Sequence, residues 1–263
     1  MIERIDDPDD PRIAPFRAIR ERDLVGRDGR FIAEGEVVVE VLLGQNRHRP
    51  LALLIAEARL AGLADRLARI GPEIPIYVAV QAVMDRIVGF PIHRGLIALG
   101  ERAPAIPAAT RLAPAGRRSR IVVLIGIANH DNVGGIFRNA AAFGADAVLI
   151  DRATCDPLYR KAIRVSVGGT LLVPFGRLDE GEDPVALVEA AGYVPLALTP
   201  AGATPLTALE PPVRAAIFLG TEGPGLPDAI MTRIRTIGIP MANGFDSLNV
   251  ATTSGIVLHH LGR

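Results

Sequence analysis

Residues 239–261, Ile-Pro-Met-Ala-Asn-Gly-Phe-Asp-Ser-Leu-Asn-Val-Ala-Thr-Thr-Ser-Gly-Ile-Val-Leu-His-His-Leu, run from the end of an apolar strand through a short polar loop into a helix. The apolar residues 237–239 stop at Pro240, and Ser247 stands where the helix should begin. A serine hydroxyl there can accept from an orphan N–H of the first turn. Val250, Ser254, Val257 and Leu261 recur at spacings of four, three and four, the period of a helix packed on one face. One cap is enough for a helix, yet Asp246, Ser247 and Asn249 stand together. That surplus of polar groups, where a strand gives way to a helix, marks a candidate site.

The same alternation extends upstream. A buried strand is expected at 120–127, with others at 147–150, 194–198, 215–219 and 236–239. Helices fit 134–143, 156–165, 185–191, 227–231 and 248–261. Continuous apolar runs suit parallel strands covered on both faces, so this half reads as an α/β domain with a mostly parallel sheet. Residues 1–30 are charged, with helix-like apolar spacing only around 13–24. From Phe31 a smaller α/β unit follows, with helices at 36–43, 60–70 and 81–87 and strands at 51–55, 76–80 and 95–99. Three prolines and many alanines over 101–119 mark a linker. The expected division is 1–105, a linker at 106–119, and 120–263.

With 263 residues, 49% of them apolar, the chain can bury a large core. No apolar run reaches the roughly 18–20 residues needed to span a membrane. The acidic N-terminus lacks a signal-peptide pattern, and the single Cys155 excludes an intrachain disulfide. A soluble cytoplasmic protein without a membrane partner is the expectation. Net charge is zero, so no global field advertises a nucleic acid. Local clusters nevertheless exist at Arg17, Arg20, Arg22, Arg27 and Arg30, and at Arg111, Arg117, Arg118 and Arg120. Lys161 is the only lysine; genome composition explains that bias, although guanidinium also suits phosphate.

Two further junctions match the first in polarity: Asn129-His-Asp-Asn-Val-Gly-Gly-Ile-Phe-Arg138, and Leu219-Gly-Thr-Glu-Gly-Pro-Gly-Leu226. The dinucleotide fingerprint and the phosphate loop are both absent, as is a Gly-x-Ser-x-Gly elbow. His259 and His260 are adjacent, so on a helix they point about 100° apart and cannot chelate from one face. No metal is expected. Taken singly, Asn132 and Gly134 serve as turn residues, Arg138 as a solvated helix residue, His130 as a loop histidine and Cys155 as a small packed side chain. Three such junctions in one sheet point to a shared site.

With their order and spacing, these segments resemble the motifs of the SpoU (TrmH-type) RNA 2′-O-ribose methyltransferases of the SPOUT superfamily. Asn132-Val-Gly134 through Arg138 matches the first motif, Leu219 through Leu226 the second, and Ile239-Pro-Met through Ser247-Leu-Asn-Val250 the third. Arg164-Val-Ser-Val-Gly-Gly169 also follows the pattern. The likeness is strong over 120–263 and weaker over 31–98, where Glu34-Gly35 and Gly89 through Gly95-Leu-Ile-Ala resemble a small substrate-binding domain. Departures are His130 for a usual proline, Asn139 for a small hydroxyl residue, and Asn243-Gly244 where the usual glycine is shifted by one.

The resemblance implies a C-terminal α/β domain with a trefoil-knotted parallel sheet, preceded by a small α/β RNA substrate-binding domain. It also implies a homodimer and S-adenosyl-L-methionine bound by backbone at Leu198, Thr199, Gly220, Ile239 and Leu248. Arg138 would contact the ribose hydroxyl or an adjacent phosphate, with Asn132, Glu222, Ser247 and Asn249 as positioning groups. The substrate would be structured RNA, with rRNA favoured slightly over tRNA because of the N-terminal domain. A non-catalytic RNA- or ribosome-binding module and a base methyltransferase are the alternatives.

Overall fold

The computed structural model describes residues 2–17, 25, 29–88, 95–242, 245 and 247–262. The expectations placed on Arg20, Arg22, Arg27, Gly89, Asn243, Gly244 and Asp246 lie outside the described residues. By internal contacts the chain divides into two units, Met1–Ala103 with Leu158–Leu171, and Pro104–Pro157 with Leu172–Arg263.

The first unit contains β1 (Ile2–Arg4), β2 (Arg30–Glu34), α1 (Glu36–Gly44), β3 (Arg49–Ala56), α2 (Glu57–Leu67), β4 (Ile76–Ala79), α3 (Gln81–Val88) and β5 (Leu96–Glu101). Its sheet has the order β1-β4-β3-β5-β2. The first three strands are parallel, while β5 runs antiparallel to both β3 and β2. Neither β1 nor β2 is evident in the sequence pattern. The charged N-terminus nonetheless contributes Ile5, Ile13 and Phe16 to a core with Leu54, Met84, Ile87 and Leu99. Residues 11–16 form a 3-10 turn behind an Asp10 cap rather than the start of a helix.

Helix Arg160–Val165 belongs to this first unit. Arg160 donates from Nε and Nη2 to the buried Glu34 Oε2 at 3.1 and 2.9 Å. The expected helix at 156–165 thus begins four residues late.

The second unit contains β6 (Ser119–Leu124), α4 (His130–Ala142) and β7 (Ala147–Ile150). After α5 (Arg160–Val165) and α6 (Gly169–Leu172) come β8 (Phe175–Arg177), α7 (Pro184–Ala190), β9 (Val194–Leu198), β10 (Thr204–Pro205), β11 (Arg214–Leu219), α8 (Asp228–Met231), β12 (Arg235–Gly238) and α9 (Val250–Leu261). All pairs are parallel, in the order β10-β12-β9-β11-β6-β7-β8. Ile121–Leu124 and Ala215–Phe218 are fully buried, as strands covered on both faces must be. Gly144, at φ 67°, terminates α4 in the left-handed conformation, and Ala145 N bonds back to Ala140 O at 2.8 Å.

Residues 106–119 have the composition of a linker, yet part of this stretch is packed. Ala108 is fully buried in the second core, and Arg111 Nε donates to Phe175 O at 3.1 Å. Arg214 holds the next residues, donating to the carbonyls of Ala113, Pro114, Arg117 and Ala191 at 2.8–3.0 Å while its guanidinium lies 4.1 Å from the Tyr193 ring centroid.

Candidate functional site

Strands β12, β9 and β11 are neighbours, and the chain leaving each C-terminal end walls one cavity of 390 Å3. That size lies within the roughly 300–1,000 Å3 of small-molecule sites, and its place follows the rule for parallel sheets. Leu198 and Thr199 line it after β9, Gly220 after β11 and Ile239 after β12, with Ser247, Leu248 and Asn249 on the remaining side.

Backbone geometry explains the glycines. Thr221 and Gly225 exchange both backbone hydrogen bonds, at 3.2 and 3.1 Å, closing a turn in which Gly223 (φ 92°) and Gly225 (φ 73°) are left-handed. A Cβ on Gly220 would lie 2.3 Å from Gly225 C and Leu226 N. Only glycine lets this turn fold back over the strand end.

Helices α4 and α9 meet through small residues. A Cβ on Gly135 would lie 2.6 Å from Ala251 Cβ, and Asn139 Nδ2 donates to Ala251 O at 2.6 Å and to buried Ser254 Oγ at 3.0 Å. Asn139 therefore ties the two helices together, a role that a shorter hydroxyl side chain would not reach. The pairing brings their N-terminal turns side by side.

Three polar residues converge there. Asn132 Nδ2 donates to Glu222 Oε1 at 2.8 Å. Asn249 Nδ2 donates to Asn132 Oδ1 at 2.8 Å and to Glu222 Oε1 at 3.3 Å. Asn249 Oδ1 accepts from Ala251 N and Thr252 N at 2.9 and 3.2 Å. Asn249 is thus the cap of α9, correcting the assignment to Ser247. The cap must directly precede the first helical residue, Val250, and Asn249 has the extended backbone this needs (φ −53°, ψ 135°). Ser247 is exposed and lines the cavity two residues earlier.

Of the expected site residues, Asn132, Glu222 and Asn249 come together, and Ser247, Leu198, Thr199, Gly220, Ile239 and Leu248 line the cavity. Arg138 does not join them. It is exposed, absent from the lining, and sits about 120° around α4 from Asn132. Pro200, Met241 and Thr253 also line the cavity. For Thr253 a signal existed, since it stands one helical turn beyond Asn249. Among the described residues no three His, Cys, Asp or Glu side chains converge to hold a metal. His260 Nε2 lies 2.9 Å from Leu209 O, and the His259 ring packs edge-on against Phe143. Burial pushes the Cys155 thiol up to about 12.

Residues 119–259 match the model of the SpoU rRNA Methylase family. An uncharacterised tRNA/rRNA methyltransferase of Mycobacterium bovis is 40% identical over 280 residues, covering 99% of this chain and 94% of its own. The 23S rRNA (guanosine-2′-O-)-methyltransferase RlmB of Acinetobacter baylyi is 25% identical over 86% of this chain and 94% of its own. An AdoMet-bound rRNA methyltransferase from Sinorhizobium meliloti shares the fold, with a TM-score of 0.82 at 23% identity over 99% of this chain and 97% of its own. The family model spans more than half of the sequence, and the Mycobacterium relative spans nearly all of it: this chain belongs to the SpoU rRNA methylase family of RNA methyltransferases.

Proposed function

We propose that this chain methylates a ribose 2′-hydroxyl of structured RNA, with S-adenosylmethionine as donor and rRNA favoured over tRNA. The observation that carries the reading is the meeting of Asn132, Glu222 and Asn249, from three separated segments, beside a cavity at the strand ends. The cavity suits the donor. Its walls join apolar Leu198, Leu219, Ile237 and Ile239 to backbone that turns inward, and the missing Cβ of Gly220 lets the Thr221–Gly225 turn close over the strand end and form one of those walls. RlmB, named for guanosine 2′-O methylation, supports the ribose assignment and the preference for rRNA.

When bound, S-adenosylmethionine supplies an electrophilic methyl group. The residues' task is to hold the ribose hydroxyl in line and favour loss of its proton; alignment of this kind contributes roughly 7–11 kcal/mol in favourable cases. Glu222, held by both asparagines, positions the ribose and donor with Ser247 and Asn249. The Arg138 guanidinium stabilises the developing charge on the 2′-oxygen. Because Arg138 is exposed away from the cavity, it serves the cavity of a second protomer. Exposed Phe245, Leu248 and Ile256 suit the apolar contact of such a homodimer. The trefoil knot, the division at 106–119 and RNA binding by residues 1–105 complete the reading.

The test is nucleoside mass spectrometry of RNA incubated with the protein and labelled donor. A ribose-methylated nucleoside is the expected product; a base-methylated nucleoside, or none, refutes the assignment. Arg138→Ala should keep donor affinity and lose methyl transfer. Mixing it with Asn249→Ala should restore part of the activity if Arg138 serves the partner's site.

A further inference from the structure

Along the C-terminal end of the second unit's sheet, a chain of contacts runs from β8 across to β11. Arg177, which closes β8, donates from Nη1 to Asp151 O at 2.9 Å, just past the end of β7. The Asp151 carboxylate reaches the loop that follows β6. Its Oδ2 accepts from Gly126 N at 3.0 Å, and its Oδ1 accepts from Thr154 N and Thr154 Oγ1 at 2.8 and 2.6 Å. Thr154 is 3% exposed, and its hydroxyl accepts from Ile127 N at 3.2 Å. One proton and two lone pairs let that hydroxyl hold both partners at once. Cys155 N adds a bond to Ile127 O at 2.9 Å. None of Asp151, Thr154, Gly126 and Ile127 lines the donor cavity.

The loop held in this way bears on both partners of the Asn132–Glu222 hydrogen bond. Ile127 is buried and lies just before Asn129, whose Oδ1 caps α4 by accepting from Asp131 N at 2.9 Å. The position of Ile127 therefore sets where α4 begins, and Asn132 stands in its first turn. Gly126, left-handed at φ 72°, backs onto the turn that carries Glu222: a Cβ there would lie 2.8 Å from Thr221 Cγ2. Asn132 and Glu222, which meet at 2.8 Å, thus take their spacing from one brace. Hydrogen bonds and alignment depend steeply on distance, and a misplacement of about 1 Å can cost roughly hundredfold in rate.

We propose that Asp151 and Thr154 are positioning residues for methyl transfer, acting through the loop between β6 and α4 on the Asn132–Glu222 pair. The inference rests on the reading that this pair serves the reaction. Asp151 and Thr154 touch neither substrate nor donor; their polar atoms are taken up by Gly126, Ile127 and each other.

The test compares three variants. Thr154→Val keeps the shape and removes the hydroxyl, Thr154→Ser restores the hydroxyl, and Asp151→Asn removes one of the two acceptor oxygens. Methyl transfer from labelled S-adenosylmethionine is measured on total RNA from a strain deleted for the gene, beside donor affinity by calorimetry and melting temperature. Thr154→Val and Asp151→Asn should lose roughly hundredfold in kcat with donor affinity at the wild-type value, and Thr154→Ser should recover most of the rate. Each is then combined with Asn132→Ala. A brace that acts through Asn132 adds almost nothing to the loss already caused by Asn132→Ala, whereas residues that only support the fold give losses that multiply. Multiplying losses, donor affinity falling in step with kcat, or an unchanged kcat in folded Thr154→Val overturns the proposal. Should Thr154→Val not fold, Asp151→Asn decides by the same cycle. Transfer by the wild type to either ribose or base leaves this comparison intact; no transfer by the wild type refutes the underlying reading instead.

Discussion

Replacing Asn249 by alanine or by aspartate separates two tasks that its side chain performs together. Oδ1 caps α9, while Nδ2 serves Asn132 and Glu222. Alanine removes both. The cap is worth about 1 kcal/mol. Asn132 is only 4% exposed, so leaving its Oδ1 without a donor costs roughly 1–3 kcal/mol. The total for Asn249→Ala is about 2–4 kcal/mol.

Aspartate keeps the cap, because Asp and Asn are equivalent there. It still orphans Asn132 and sets a carboxylate where Nδ2 lay 3.3 Å from Glu222 Oε1. Both side chains are exposed, so near-water screening applies and the repulsion is about 1 kcal/mol. At neutral pH the two variants are therefore similarly destabilised. They part as pH falls. Glu222 holds the pKa of the new aspartate above its unfolded value, and a protonated aspartate can donate to Asn132. A raised native pKa means stability that is complete below the unfolded aspartate value of about 4 and lost as pH rises, so Asn249→Asp should recover relative to Asn249→Ala as pH falls from 7 towards about 4. Urea unfolding of both variants and the wild type at the two pH values measures this. If Asn249→Asp matches the wild type at pH 7, or tracks Asn249→Ala at both, the three-residue network is not what holds this junction.

Gly220→Ala should abolish donor binding measured by calorimetry, because its Cβ meets the backbone of Gly225 and Leu226 at 2.3 Å; wild-type affinity would show that the turn can move aside. Arg214→Lys replaces four carbonyl contacts and a ring contact with one ammonium, and should cost about 2–3 kcal/mol in urea unfolding. Cys155, with its thiol near 12 instead of 9.0, should carry roughly a thousandfold less thiolate near pH 8 than in the unfolded chain. Slow alkylation in the native state, and fast alkylation in urea, is the expected pattern; equal rates refute it.

Local patterns revealed the strands that are buried on both faces, because their apolar runs are continuous: Ile121–Leu124 is an example. They also revealed the glycines, since the turn at Gly223 and Gly225 demands left-handed backbone. Short edge strands such as β1, β8 and β10 gave no such signal, being two or three residues long and defined by their partners. The cap of α9 was ambiguous among neighbouring polar residues until the backbone showed where the helix starts. Arg138 was legible as a motif residue, but its direction is a property of how α4 lies on the sheet and on α9, which no local pattern encodes.

The return of Leu158–Leu171 to the first unit has a consequence for the order of synthesis. Glu34 and Arg160 are 126 residues apart in the chain, and Gly168 packs within about a methyl's reach of Val41, where an added Cβ would lie 3.1 Å from the valine's own. At a ribosomal pace of roughly 5–20 residues per second, the early strands wait several seconds for the segment that completes them. A fragment ending at residue 105 never receives it. It would lack both the helix that packs on β2 and the Arg160 guanidinium that pairs with Glu34. The amino-terminal unit is thus a unit of structure but not a unit of sequence.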